Sequence, residues 1–435
     1  MTSINVKSFG CSANFAEGEI MKGLLAKEGM NIKEDSPDVT VVNVCTVKGD
    51  NQALKEIRIA KQNNENKKIV VAGCLTRSLI NEVKKLYPEI SLLNTHNIKN
   101  INSVVNETLA NNRVEFLSKE KSFKLNLPKV RKNPIIGIVP IASGCDSACT
   151  FCSVKLVKGS LFSYPIQEII REIEQCVKDG CKEIWLTSQD NGCYGLDIGT
   201  NLVKLLQEIV EIEGDFMIRV GMANPKHVVK FYKDLIQIYK HPKIFKFLHL
   251  PVQSGNNEIL SAMKREHSAE DYKKVIERFR EEIPELNLST DVICGFPGET
   301  KLQFEDTLNL VSETQPDSCN ISRFASRYGT PASIMTNVIS GDEKRNRSRA
   351  LTEVYESTSL KQNKKWINWS GFVLVDEFCK NNTLTGRNYA YKPVILRGDF
   401  KLGDCVYVKI IDATSFDLRA EVLPELSQNP LKVFK

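Results

Sequence analysis

Residues 135–155 read IIGIVPIASGCDSACTFCSVK. An apolar run rich in β-branched residues leads to a glycine, and Cys145, Cys149 and Cys152 follow at C-x-x-x-C-x-x-C spacing. The run predicts a buried strand, and the cysteines predict a loop at its carboxyl end. Three thiolates so close together can hold three irons of a 4Fe-4S cluster, and no fourth cysteine lies within local reach. The iron left open can chelate the amino and carboxylate groups of S-adenosylmethionine, which an electron from the cluster cleaves to a 5′-deoxyadenosyl radical. Zinc is the competing reading, but it prefers four ligands, commonly in C-x-x-C or histidine-containing pairs.

Working outward toward the carboxyl end, the runs EIWLTS, FMIRVGM, FKFLHLPV, NLSTDVI and SCNISRF alternate with helical stretches such as 165–178, 201–212 and 269–282. Such repetition over roughly 200 residues predicts a barrel or partial barrel with reactive groups at the carboxyl ends of its strands. Toward the amino end, INVKSFG, VTVVNV and KIVVAG alternate with helical stretches near 17–28 and 53–62, predicting an open parallel sheet of Rossmann or flavodoxin type. From about residue 370, GFVLVDEF, NTLTGRN, YKPVILRG, DCVYVKIID and FDLRAEVL are short runs broken by Gly, Asn and Asp, which predict a small all-β barrel. The expected class is therefore α/β, with domains at 1–117, 134–367 and 368–430 and a lysine-rich linker at 118–133.

Composition agrees with a compact multidomain protein: 435 residues, 42% hydrophobic and 26% charged, exceed one hydrophobic core and do not match extended disorder. The start, MTSINVKSFGCSAN, has no apolar h-region, and no run approaches the length needed to cross a bilayer, so a cytoplasmic location without a membrane partner is expected. The formal net charge is +6, with basic residues concentrated at 113–132 and 344–365. Solvated surface and nucleic-acid contact are both open readings for those stretches.

Thirteen cysteines are many for a chain in a reducing compartment, and the odd number weakens a disulfide reading. A second set is dispersed in sequence: Cys11 follows INVKSFG, Cys45 follows VTVVNV and Cys74 follows KIVVAG. Each ends a predicted parallel strand, and the carboxyl ends of such strands lie along one edge of the sheet. The three thiolates are expected to converge there, on a second site able to leave an iron open for a sulfur species. Cys176 shares a helical face with Ile166, Ile169, Ile170 and Ile173 and is expected in the core, and Cys181, Cys294, Cys319, Cys379 and Cys405 are read as buried by default. Cys193 falls on a loop of the expected active face, where the bystander reading is preferred.

The stretches GCSANFAEGE, NVCTV, AGCLT, GCDSACTFCSVK, LTSQDNGCYGLDIGTNL, HLPVQSGNNEILSAMKRE, STDVICGFPGET and RYGTPAS together resemble the radical S-adenosylmethionine methylthiotransferases from end to end. The branch most resembled is the archaeal and eukaryotic one acting on N6-threonylcarbamoyladenosine of tRNA, and the terminal β-segment resembles a TRAM domain. Asp146, Ser147 and Ala148 stand where many relatives have a glycine among them, which also suits that branch.

The resemblance implies two 4Fe-4S clusters and S-adenosylmethionine. The cluster of Cys145, Cys149 and Cys152 generates the radical, and the auxiliary cluster of Cys11, Cys45 and Cys74 handles the inserted sulfur. The product is a methylthio group at C2 of the modified adenosine at tRNA position 37. An electron donor protein and a sulfur source are implied as partners beside the tRNA anticodon stem-loop. Ser188, Gln189 and Asp190 stand where the family contacts the cofactor's amino and ribose groups, with loop capping as the other reading. Gln253 and Ser254 are expected to face the same pocket. Arg265 suits the cofactor carboxylate, with an exposed helix-end arginine as the alternative, and Gly295 allows close backbone approach to the adenine. For RNA contact, Arg387, Tyr389, Tyr391, Lys392 and Arg397 offer cations and rings to an anticodon loop, against a purely architectural role for that barrel. Rival functions are the same chemistry on isopentenyladenosine or a ribosomal-protein side chain, and a zinc-containing RNA-binding protein.

Overall fold

The run VTVVNV is buried at every position, so both faces of the sheet that contains it must be covered, as βαβ crossovers do. The first elements are β1 (Ser3–Ser8), α1 (Ser12–Lys27), β2 (Asn31–Ile32), β3 (Val39–Val44), α2 (Asp50–Gln62), β4 (Lys68–Gly73), α3 (Arg77–Leu86), β5 (Ser91–Asn94), α4 (Ile101–Leu109) and β6 (Glu115–Phe116). They form a six-stranded sheet of order β2-β1-β3-β4-β5-β6, parallel throughout. The computed structural model describes residues 1–62, 68–380 and 383–423.

The segment read as a linker carries no regular secondary structure between Phe116 and Ile136, yet it is not a free connector. Lys124 and Leu125 are buried. Lys129 pairs with Glu172, and Arg131 pairs with Asp179 at 2.8 Å. The 118–133 stretch is a strap clamped between two domains. Lys124, Lys129 and Arg131 are each paired with a carboxylate and so are not free to neutralise a phosphate, whereas Lys119 and Lys132 are exposed.

The second unit runs β7 (Ile136–Pro140), β8 (Ala142–Ser143), α5 (Val154–Lys158), β9 (Phe162–Ser163), α6 (Ile166–Lys178), β10 (Glu183–Thr187), α7 (Leu202–Val210), β11 (Met217–Val220), α8 (Pro225–Tyr239), β12 (Phe247–His249), α9 (Asn257–Ala262), α10 (Ala269–Glu282), β13 (Asn287–Cys294), α11 (Lys301–Thr314), β14 (Ser318–Arg323) and α12 (Gly341–Lys364). Two parallel sheets, β11-β10-β7 and β12-β13-β14, are linked where Ile218 bridges Ile244, giving an open arc of six strands, a partial (β/α) barrel. Antiparallel pairing of β8 with β9 closes the base of the three-cysteine loop. Cys176 lies in the core with Ile169 and Ile173. Cys379, by contrast, is exposed, and Cys319 and Cys405 are half-buried, which corrects their reading as buried thiols.

The last unit is a closed barrel, β15 (Ser370–Phe378), β16 (Thr383–Arg387), β17 (Pro393–Arg397), β18 (Cys405–Ala413) and β19 (Leu418–Val422), in the order β15-β16-β17-β19-β18. Closure removes the unpaired edges that short strands otherwise expose. It docks at the amino ends of the partial barrel's strands: the Lys246 N–H donates to the Tyr389 carbonyl at 2.9 Å, and Asn287 Nδ2 donates to the Ala390 carbonyl at 2.9 Å. The end of the expected terminal domain, 424–430, lies outside the described residues. Among the described residues, no helix is long and apolar enough to cross a membrane.

Candidate active site

Strands β1, β3 and β4 are neighbours and parallel, so the residue after each emerges at the same edge. Cys45 and Cys74 are those residues for β3 and β4, and Cys11 comes three residues after the end of β1. Cys11 sits at the N-cap of α1, and its Sγ lies 3.8 Å from Cys45 Sγ. Gly10 makes that approach possible: at φ +132 it has no Cβ, and one placed there would lie 2.2 Å from Cys45 Cβ. A buried latch ties the start of α1 to the end of β3, with Asn14 Nδ2 donating to Asn43 Oδ1 at 2.9 Å and Asn43 Nδ2 donating back to the Asn14 carbonyl at 2.8 Å. The hydrogen bond shared with Cys11 lowers the Cys45 thiol to about 6 against the effect of burial. Burial raises Cys74 to about 11, with Lys158 opposing.

Cys145, Cys149 and Cys152 occupy the loop after β7 and β8, each half-buried. Gln189 Oε1 accepts the Gly144 N–H at 2.6 Å, which ties the loop to the end of β10. Arg265 is buried, not an exposed helix end: Nη1 reaches Cys149 Sγ at 3.4 Å, and Nη2 donates to the Pro251 carbonyl at 2.6 Å.

The loops that carry the two trios are in contact. The Ser12 and Thr187 hydroxyls lie 2.7 Å apart, and those of Thr46 and Ser153 lie 3.0 Å apart. Arg327 donates to the Val47 carbonyl at 3.2 Å. Residues directly following Cys11 and Cys45 thus touch the mouth of the partial barrel, and Ser153 directly follows Cys152. All thirteen cysteines are free thiols. Each trio offers three thiols at strand-end loops, Cys45 and Cys74 buried and Cys11, Cys145, Cys149 and Cys152 half-buried, and thiol donors suit thiolate-ligated iron.

The other residues singled out divide between the cavity and its scaffold. Ser188 Oγ accepts the Asp190 N–H at 3.1 Å. Asp190 Oδ1 accepts the N–H groups of Gly192 and Asn224, both at 2.9 Å, so this carboxylate caps the loop as the alternative reading had it. Its Oδ2 stands 3.5 Å from His227 Nε2, and burial raises the Asp190 carboxyl with His227 opposing. Gln253 and Ser254 are buried, Gln253 at φ +77, and Ser254 Oγ accepts the Asn256 N–H at 3.2 Å. Gly295, at φ +74, fits against the stem of Lys344, which a Cβ would strike at 2.3 Å. Cys193 is wholly buried; its thiol donates to the Asp190 carbonyl at 3.2 Å, and its Sγ lies within 4.8 Å of donor atoms of both Cys145 and Asp190. It is a direct neighbour of Cys145.

The RNA-contact expectation needs correction. Tyr391 is buried against Phe245 and Phe247, with ring centroids 4.8 and 5.2 Å away. Lys392 is buried and donates to Asp317 at 2.5 Å and Asn363 at 2.6 Å. Arg387 is paired with Asp376 at 2.9 Å and lies over the Tyr391 ring, and Tyr389 is half-buried beside Trp366 and Trp369. These four belong to the joint between the terminal barrel and the underside of the partial barrel. Arg397 alone of the five is exposed. Sequence reading also passed over Thr46, Ser153, Glu17, Lys124 and Lys158, although the small hydroxyl residue after Cys11, Cys45 and Cys152 was a visible signal.

The Radical SAM superfamily pattern matches residues 139–311, the pattern described as "Uncharacterized protein family UPF0004" matches 3–94, and the TRAM domain matches 372–423. The solved structure of the radical S-adenosylmethionine methyltransferase TsrM from Kitasatospora setae, with cobalamin and a 4Fe-4S cluster bound, shares the fold at a TM-score of 0.57 and 14% identity, over 77% of each chain. Fold, pattern and cysteine loop define a radical S-adenosylmethionine enzyme. The probable threonylcarbamoyladenosine tRNA methylthiotransferase of Pyrococcus horikoshii is 38% identical over 97% of this chain and 100% of that protein. The threonylcarbamoyladenosine tRNA methylthiotransferase of Homo sapiens is 40% identical over 81% of this chain and 62% of that protein. The chain belongs to the threonylcarbamoyladenosine tRNA methylthiotransferase family.

Proposed function

We propose that the chain inserts a methylthio group at C2 of N6-threonylcarbamoyladenosine 37 in tRNA, giving the 2-methylthio product, with a 4Fe-4S cluster at each cysteine trio. The family supports the reaction and the tRNA substrate. The observation that supports the two-cluster reading is the contact of Thr46 with Ser153 and of Ser12 with Thr187, which sets the two cysteine-bearing loops against each other. When bound, the cluster and S-adenosylmethionine supply the radical that takes hydrogen from the adenine, and the auxiliary cluster supplies sulfur.

The chain's own residues prepare that chemistry. Gln189 and Arg265 hold the radical loop from two sides, and Arg265 places a guanidinium where a cofactor carboxylate is to be met. Ser188, Asp190, Gln253, Ser254 and Gly295 shape the cofactor's surroundings. The units divide near 1–117, 134–367 and 368–430. The tRNA is met through its anticodon stem-loop, and an electron donor protein and a sulfur source act with the enzyme in the cytoplasm.

The test is anaerobic reconstitution followed by incubation with threonylcarbamoylated tRNA and mass spectrometry of its nucleosides. Two clusters give about eight irons per chain and one gives about four. Cys45→Ala is expected to abolish sulfur insertion yet keep reductive cleavage of S-adenosylmethionine, and Cys149→Ala to abolish both. Full methylthiolation by Cys45→Ala overturns the auxiliary site.

A further inference from the structure

Three side chains that no step above uses lie buried between the domains. Glu17 projects from α1, Lys124 from the strap and Lys158 from the end of α5, just beyond the radical loop. Lys124 Nζ and Lys158 Nζ each donate to Glu17 Oε1 at 2.6 Å. Both lysines also donate to the Thr95 hydroxyl, at 2.9 and 2.5 Å. All four residues are buried, and Glu17 Oε2 has no hydrogen-bond partner among the described residues.

Two cations on one carboxylate leave a surplus positive charge, and a buried charge without an anion is strongly disfavoured. The cluster lies beside the strand end that carries Cys74. Strand register pairs Gly73 of β4 with Asn94 of β5, so Cys74 and Thr95 follow on neighbouring strands, and Lys158 is bonded to Thr95. Burial takes Lys124 down to about 8, with Glu17 opposing and Lys158 adding to the fall. Lys158 makes the shorter bond to Thr95, 2.5 Å against 2.9 Å for Lys124, and Thr95 follows the residue paired with Gly73, so Lys158 is the cation tied most closely to the Cys74 strand end.

We propose that the Glu17, Lys124 and Lys158 cluster is an electrostatic positioning device for the auxiliary cluster: its surplus positive charge raises that cluster's reduction potential while clamping the two cluster domains together. The proposal rests on the reading that Cys11, Cys45 and Cys74 hold iron. Three thiolates already make such a cluster anionic, and reduction adds one more negative charge. A nearby buried cation stabilises the reduced form more than the oxidised one, by Coulomb attraction in a low-dielectric site. The lysines are positioning residues, since neither is placed on substrate or cofactor.

The experiment uses full-length protein with Cys145, Cys149 and Cys152 all replaced by alanine, reconstituted anaerobically, its iron and sulfide measured and its cluster titrated by EPR against potential. Lys158→Met is expected to move the potential in the negative direction, with Lys124→Met moving it the same way by less. Lys158→Arg, which keeps the charge, should hold the parent value. Glu17→Gln should move it in the positive direction. A merely structural role predicts no sign reversal between the lysine and glutamate variants and no rescue by arginine. If Glu17→Gln does not fold, the comparison of Lys158→Met with Lys158→Arg decides alone. Equal potentials for that pair, or a positive shift in Lys158→Met, overturn the proposal with the auxiliary cluster intact. Absence of iron in the parent triple variant overturns the two-cluster reading and the proposal with it.

Discussion

Thr46 and Ser153 meet hydroxyl to hydroxyl at 3.0 Å, and each directly follows a cysteine of a different trio. Both side chains are buried, so the contact is shielded from water and registers one cysteine loop against the other. Replacing Thr46 by Val leaves the Ser153 hydroxyl unpaired. A lost buried partner costs about 1–3 kcal/mol. Thr46→Val is expected to lower methylthiolation about 5-fold or more, with cleavage of S-adenosylmethionine unchanged. Single-turnover assays of both products check this; equal loss of both places the defect in the radical loop.

Cys193 is buried beside Cys145, and the hydrogen bond it shares with Cys145 lowers the Cys145 thiol. Cys145, Cys149 and Cys152 suffice to hold three irons. Cys193→Ala is therefore expected to retain the radical cluster, with iron content and the visible charge-transfer band unchanged after anaerobic reconstitution. A loss of about four irons per chain makes Cys193 a required group at that centre.

Glu17 is held down to about 2: burial raises its carboxyl, but Lys124 and Lys158 together outweigh that effect. A carboxyl depressed in the folded state contributes stability that is fully present above its unfolded value, near 4.5, and is lost as pH falls through 2. The contribution is on the order of 3 kcal/mol. Urea midpoints of iron-free protein, taken from pH 6 downward, are expected to fall more steeply for the native chain than for Glu17→Gln. Parallel curves contradict the pairing.

Tyr391 and Lys392 lie in the joint below the partial barrel. Tyr391→Ala opens a cavity, costing about 3–5 kcal/mol as for other large aromatics. Lys392→Met removes the partner of Asp317 Oδ1 and leaves that carboxylate the Leu288 N–H at 2.8 Å and Arg280 at 3.8 Å, at a cost of about 1–3 kcal/mol. Both are expected to lower the thermal midpoint while leaving tRNA affinity of the folded fraction close to native. Arg397→Ala, on the exposed surface, is expected to keep the midpoint and to reduce the salt dependence of tRNA binding by about one phosphate contact. Reversed effects restore the barrel loop as an RNA surface.

The sequence by itself determined the strand and helix alternation, the closing β-barrel and the two sets of cysteines, because each is written locally. A run such as VTVVNV declares a strand buried on both faces, and C-x-x-x-C-x-x-C declares a metal loop. Parallel order then brings Cys11, Cys45 and Cys74 to one edge. Only the tertiary structure decided which cations are neutralised. Lys124 meets Glu17 across 107 residues of chain, and no periodicity marks that pair. The same holds for Tyr391 and Lys392, whose loop reads as an exposed basic and aromatic surface until a neighbouring barrel covers it. Burial of a charge or a ring at a domain joint depends on the fit of two separately folded surfaces, and that fit has no local signature in the chain.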